Sequence, residues 1–240
     1  MKNSARIAGV AFLVIAVTDV LLLAVGNEVI PVYIKPFLIP ALAAASLLSL
    51  LPRYWEKHTA LLAAGLLSHN AGDILLLFDG IDFIFFALGL GCFLIGHLFY
   101  LRVMTIGLGK LRGRKEVVVV IAPLIIAPLA VSAFNAGMPM AAALTVYSLV
   151  LLYVTATGVL WRMRGRPYAW RVILGGLLFI ISDALIGVKV FNGIDYPLRH
   201  ATVIATYLAA EWFLVSAMTR WIVGKKDWDE LKSWVSGRRG

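Results

Sequence analysis

The stretch "GLLSHNAGDILLLFDGIDF", residues 65–83, decides how this chain is read. It is apolar enough to cross a membrane, yet it carries His69, Asn70 and Asp73. A charged side chain at the centre of a bilayer costs at least about 2.5–3.5 kcal/mol, so such groups face a protein interior and have partners. His69 and Asp73 are four residues apart and share one face of a helix. The phrase occurs twice: residues 175–196 read "GGLLFIISDALIGVKVFNGIDY". Gly65 stands eight residues before Asp73, and Gly175 stands eight residues before Asp183. Each aspartate is followed two residues on by leucine, then by a "GID" turn and an aromatic residue, with three extra residues before the turn in the second copy.

The rest of the chain supports a membrane reading. It has 240 residues, 61% of them hydrophobic and 15% charged, with a mean hydropathy of +0.91. Soluble domains carry about 45–50% apolar and about 25% charged residues. The apolar runs are continuous rather than alternating, which excludes a β-barrel. The expected fold is all-α and integral to the membrane, with eight transmembrane helices at 7–25, 33–51, 58–78, 83–104, 117–134, 138–161, 168–188 and 198–222. Turn residues separate them, as in "GNEVIP", "FDGID", "NAGMP" and "FNGIDYP". One transmembrane domain, 1–222, is expected, with repeat halves of about 1–110 and 117–222 and an interfacial tail at 223–240.

The net charge of +9 does not indicate nucleic acid, because the basic residues stand at the ends of apolar runs. With eight spans, 19 of the lysines and arginines fall on one side and only Lys35, Lys189 and Arg199 on the other. The positive-inside rule then places both termini in the cytoplasm, which in a bacterium means the inner membrane. Lys2 and Arg6 before an apolar run imitate a signal peptide, but the run is long enough to span, so a retained first helix is expected. In the tail, Trp228, Leu231, Trp234 and Val235 share a helical face flanked by basic residues, which predicts an interfacial helix on the cytoplasmic leaflet. The single cysteine, Cys92, can form no intramolecular disulfide and reads as a small core residue.

The two copies are four spans apart, so their helices run in the same direction. That predicts a parallel 4+4 repeat about an axis along the membrane normal, which brings Asp73 and Asp183 to equal depth. Asp19 lies at a similar depth in the first span but outside the repeat, and a structural role is expected for it. His97 and Glu211 form a deeper layer and are candidates to pair across the bundle, as a proton relay or a structural lock. His69 and Tyr207 fall between the layers. Tyr207 and Lys35 are candidate partners for Asp73, with interhelical glue as the alternative to catalysis. Lys35 either reaches an anionic headgroup or snorkels. Asp79, Asp82 and Asp195 lie in turns and are expected to be solvated or to cap helices.

Two apposed carboxylates divide into a proton holder and an anion, the arrangement acid–base hydrolysis needs. No metal is expected, because the polar layers are separated by about 13 Å of helical rise and neither HExxH nor CxxC occurs. Ser182 adjoins Asp183 but lies in no GxSxG and has no base at suitable spacing. A small-molecule or proton-coupled transporter is the alternative, although no Gly/Pro break adjoins either aspartate. An intramembrane aspartyl protease is disfavoured, because the aspartates are not on neighbouring helices.

The motifs "KPF" (35–37), "GDILL" (72–76), "GCFLIGHLFY" (91–100), "FIISDALI" (179–186) and "TYLAAEW" (206–212) resemble the YhhN/TMEM86 family, whose animal members include lysoplasmalogenase. The resemblance implies hydrolysis of the vinyl ether bond of a lysoplasmalogen, or of a related ether lysolipid, to a fatty aldehyde and glycerophospho-ethanolamine or -choline. It implies Asp73 and Asp183 as catalytic residues. Lys35, His69, Asn70, His97, Tyr100, Tyr147, Ser182, Tyr207 and Glu211 would line the pocket. Glu211 stands where many relatives are expected to have glutamine. The implied partners are a lysophospholipid and the surrounding membrane lipids, with no cofactor and no nucleic acid.

Overall fold

The computed structural model describes residues 2–51 and 57–237, with side chains for 3–51 and 57–225. Within them the chain forms eight helices and no strand. These are α1 (Lys2–Ala24), α2 (Val29–Leu50), α3 (Lys57–Leu75), α4 (Phe83–Thr105), α5 (Arg114–Val131), α6 (Met138–Met163), α7 (Ala169–Asn192) and α8 (Arg199–Gly237), with a short 3₁₀ turn at Leu76–Phe78 after α3. Seven are long and apolar enough to cross a membrane. The exception is α5, which spends its first turn on Arg114, Lys115 and Glu116 and keeps only residues 117–131 as an apolar run. That run rises about 22 Å, short of the ~30 Å hydrocarbon core. The protein is therefore a multi-pass integral membrane protein in which α5 is the short helix.

Consecutive helices pack on one another, except across the α4–α5 connection. The bundle is closed by contacts of α4 with α6 and of α8 with α1, α2 and α3. Close approach of α3 and α4 depends on Gly65: a methyl group there would lie 2.6 Å from the Tyr100 ring. Gly175 lets α7 approach α8 in the same way, with Leu214 2.8 Å from the same hypothetical methyl.

The basic loops gather at one end. There Arg164 donates to Glu116 at 2.8 and 2.6 Å and to the carbonyl of Leu108, Arg166 donates to the Gly107 carbonyl at 2.6 Å, and Lys225 meets His58 at 3.4 Å. Glu116 precedes the apolar part of α5, and the Arg164 bonds hold its carboxyl down at about 2, below the ordinary glutamate value of 4.5. At the opposite end His200 meets Glu28 at 2.7 Å, and the Asn135 N–H donates to Asn192 at 2.9 Å. This sorting of loops agrees with the distribution of charge in the sequence.

Two local expectations differ. The "GID" turns are built differently: Gly193 adopts φ +68° and ends α7, its N–H bonding the Lys189 carbonyl at 3.1 Å, whereas Gly80 has no positive φ. Asp82 caps α4 by accepting from the Ile84 N–H at 2.8 Å, while Asp195 pairs with Lys189 at 2.6 Å and Arg199 at 2.8 Å. Those two cations hold the Asp195 carboxyl well below the usual carboxylate range. The tail is no separate short helix, because α8 runs unbroken to Gly237. The face with Trp228, Leu231, Trp234 and Val235 lies outside the residues whose side chains are described.

Candidate active site

Asp73 sits in the last turn of α3, 2% exposed. The Tyr207 hydroxyl of α8 donates to it at 2.7 Å, and the Lys35 ammonium of α2 approaches its other oxygen at 3.8 Å. Both expected partners are therefore present. Asp183 occupies the matching position on α7 and accepts from the Tyr147 hydroxyl of α6 at 2.5 Å. The two aspartates line one cavity of about 270 Å³, together with Lys35, Tyr147, Ser182 and Tyr207. Apart from Ser148 the remaining wall is apolar, with Phe86, Phe93, Phe134, Phe179 and Phe191. Ser182 donates to the Val203 carbonyl at 3.0 Å and so ties α7 to α8.

A second polar group lies behind the cavity. His69 Nδ1 meets Glu211 at 2.5 Å, and the Tyr100 hydroxyl donates to the other Glu211 oxygen at 2.8 Å. All three side chains are fully buried. The expected pairing of His97 with Glu211 is not formed. His97 Nδ1 bonds the Phe93 carbonyl at 2.8 Å, four residues back on its own helix, while Glu211 on α8 faces α3 and takes His69. Nor does His69 orient Asp73: it belongs to the deeper layer, its ring centroid 4.6 Å from that of His97. Neither His69 Nε2 nor His97 Nε2 has a hydrogen-bond partner among the described residues.

Two aromatic residues that lie within the quoted motifs, but were not among the expected site residues, join the groups. The Phe179 ring packs edge-on against His97 at 4.3 Å and Tyr207 at 5.4 Å, and Phe93 packs against Tyr207 at 5.8 Å. The repeat register carried this signal, because Phe179 precedes Asp183 by four residues as His69 precedes Asp73. Asn70, placed in the expected pocket, is half-buried and outside the cavity wall, and its Oδ1 has no partner among the described residues. Asp19 is 1% exposed on α1, and its Oδ1 has no hydrogen-bond partner among the described residues. Among the described residues no cluster of three or more His, Cys, Asp or Glu side chains is arranged to hold a metal ion.

The arrangement offers two carboxylates, each accepting from a tyrosine hydroxyl, in a cavity whose wall is otherwise largely apolar. The chain matches the YhhN family model over residues 30–218, which include every residue of the cavity wall and of the cluster behind it, and it belongs to that family. No curated protein and no solved structure gives a match.

Proposed function

We propose that this protein is an intramembrane hydrolase that cleaves the vinyl ether bond of a lysoplasmalogen or a related ether lysolipid. Membership of the YhhN family supports lysoplasmalogenase-like activity. The observation that carries the reading is that Asp73 and Asp183, from the two sequence repeats, line one otherwise apolar cavity.

In the proposed reaction one aspartic acid protonates the β-carbon of the vinyl ether, giving an oxocarbenium ion. The other aspartate stabilises that cation and takes a proton from the water that attacks the α-carbon. The resulting hemiacetal collapses to a fatty aldehyde as the second aspartate gives its proton to the departing glycerol oxygen and the first takes the hemiacetal hydroxyl proton, which restores both groups. Glycosidases use paired carboxyl groups against a similar cation. Asp73, beside the Lys35 ammonium, takes the anionic role. Asp183, hydrogen-bonded by the neutral Tyr147, takes the role of proton donor. Lys35, at the rim of the cavity and 18% exposed, holds the phosphate of the headgroup. The buried His69–Glu211–Tyr100 group fixes the packing of α3, α4 and α8 behind the cavity. The eight helices run between the two ends of the bundle as a 4+4 repeat with the basic end in the cytoplasm, α5 being the one too short to cross the full hydrocarbon core. The contacts α1–α2, α2–α3, α3–α4 and α2–α8 recur as α5–α6, α6–α7, α7–α8 and α4–α6, which supports the repeat, whereas α1–α8 and α3–α8 have no counterpart among the principal contacts.

The test is mass spectrometry of purified protein incubated with a panel of lysolipids. The reading expects a fatty aldehyde and a glycerophosphodiester from the lysoplasmalogen, with one deuterium on the aldehyde carbon next to the carbonyl when the reaction runs in D₂O. Products from ester lysolipids, with the vinyl ether left intact, would overturn it.

A further inference from the structure

The two halves of the bundle differ most at one seam. The repeat pairs α5 with α1. α1 packs on α2 and on α8, and stacking of Phe12 on Trp212 at 5.7 Å fills its seam with α8. The matching seam lies between α5 and α4, and there α5 has its principal packing on α6 alone. α5 is instead pinned at its two ends. Arg164 holds Glu116 at the basic end. At the other end Asn192 bonds the Asn135 N–H and the Ala133 carbonyl, while Phe134 packs on Gly187 and Phe191. Between these pins lie Pro123 and Pro128, which donate no backbone hydrogen bond.

The cavity opens along this seam. Ile126 and Ala130 of α5 line it and are nonetheless exposed, and Phe86 and Leu90 of α4 line the facing side. The surrounding surface of α5 is apolar, with Ile121, Leu124, Ile125 and Leu129 exposed. Toward the loop end, Phe86, Phe191 and Phe134 form an aromatic row with centroid separations of 6.1 Å. The polar lining, Lys35, Asp73 and Asp183, stands in the first turns of α2 and the last turns of α3 and α7, in the half of the bundle away from the basic loops.

We propose that the α4–α5 seam is a lateral portal through which a single-chain lipid enters the cavity from the leaflet opposite the basic loops. The proposal rests on the reading of the cavity as a lipid site, and names its entry route and source leaflet. An opening whose rim is apolar and faces hydrocarbon admits a chain already dissolved in the bilayer, which arrives with its headgroup at the level of Lys35.

The experiment uses the full chain in phosphatidylcholine vesicles sorted by orientation. The probe is a lysophosphatidylethanolamine with a saturated ether chain bearing a mid-chain diazirine, added to one leaflet and photolysed at once. Peptide mapping is expected to find the label on α4 and α5 near Leu90, Ile126 and Ala130. Labelling should be at least about tenfold stronger from the leaflet opposite the basic loops, and Ala130→Trp should reduce it by about tenfold, as a blocked entry worth ~1.4 kcal/mol requires. Label confined to the α1–α8 face, or equal from both leaflets, would overturn the proposal. Aldehyde release from a vinyl ether lysolipid is measured in the same vesicles. Seam labelling without aldehyde leaves the portal standing and rejects the hydrolase, whereas aldehyde without seam labelling rejects the portal alone.

Discussion

Replacing Gly65 by alanine tests the packing that positions the site. The added methyl would lie 2.6 and 2.7 Å from two atoms of the Tyr100 ring and 3.3 Å from the Gly96 carbonyl oxygen. Ordinary contact begins at 3.4 Å, so the ring must retreat by about 0.8 Å. It has nowhere to go: Tyr100 is fully buried, its hydroxyl is bonded to Glu211 at 2.8 Å, and its ring packs against His69 at 4.8 Å. Overpacking costs about 1–3 kcal/mol, and loosening a hydrogen bond to a charged group costs about 1.5–3 kcal/mol. A total of about 3 kcal/mol is expected, which for a chain of this size lowers the melting temperature by roughly 6–12 °C. Gly91→Ala is the control, because nothing lies within 4 Å of a methyl group there. Tryptophan fluorescence during thermal unfolding in detergent provides the assay. The reasoning is refuted if Gly65→Ala melts within about 2 °C of the wild type, or if Gly91→Ala falls as far as Gly65→Ala.

Other outcomes follow from single contacts. Tyr147→Phe removes the hydroxyl that donates to Asp183; losing a hydrogen bond to a neutral carboxyl, about 0.5–1.5 kcal/mol, should lower kcat roughly twofold to thirteenfold, read as aldehyde release at saturating lysolipid. Asp82→Ala removes the cap of α4 and should cost about 1 kcal/mol, measured by denaturant unfolding in micelles. The Glu116 carboxyl is held at about 2 against 4.5. Its bond to Arg164 therefore stabilises the fold fully above pH 4.5 and loses that contribution as pH falls through about 2. The difference in melting temperature between wild type and Glu116→Gln should accordingly shrink on acidification from pH 5 to pH 2.5, and a constant difference would contradict the bond.

Most of the helices were legible because their signals are local. Continuous apolar runs, the glycine and proline turns and the basic loops needed no tertiary information. α5 was less so: the expected span already began after Glu116, but the helix ends at Val131 rather than at 134, which leaves a run of only fifteen apolar residues. The tie of Asp73 to Tyr207 and Lys35 was within reach because depth along a helix follows from residue count. Partner choice across helices was not. Depth alone allows His97 or His69 to meet Glu211; His97 Nδ1 is taken by the Phe93 carbonyl of its own helix, α4 reaches Glu211 through Tyr100 instead, and the other carboxylate oxygen takes His69. The role of Phe179 was encoded in the repeat but hidden by chemistry, because an apolar residue there stands where the first copy has a histidine. The "GID" turns show the opposite failure, identical letters with different local geometry.

The central claim is that Asp73 and Asp183 together cleave a vinyl ether, and the most direct measurement is the initial rate of aldehyde release from a lysoplasmalogen by purified wild type, Asp73→Asn and Asp183→Asn. The account predicts that each asparagine variant loses about 10²–10⁴-fold in rate, the contribution of a positioned acid or base, while still unfolding cooperatively. A folded variant of either kind that keeps more than about half of the wild-type rate, against that expected loss, would contradict it.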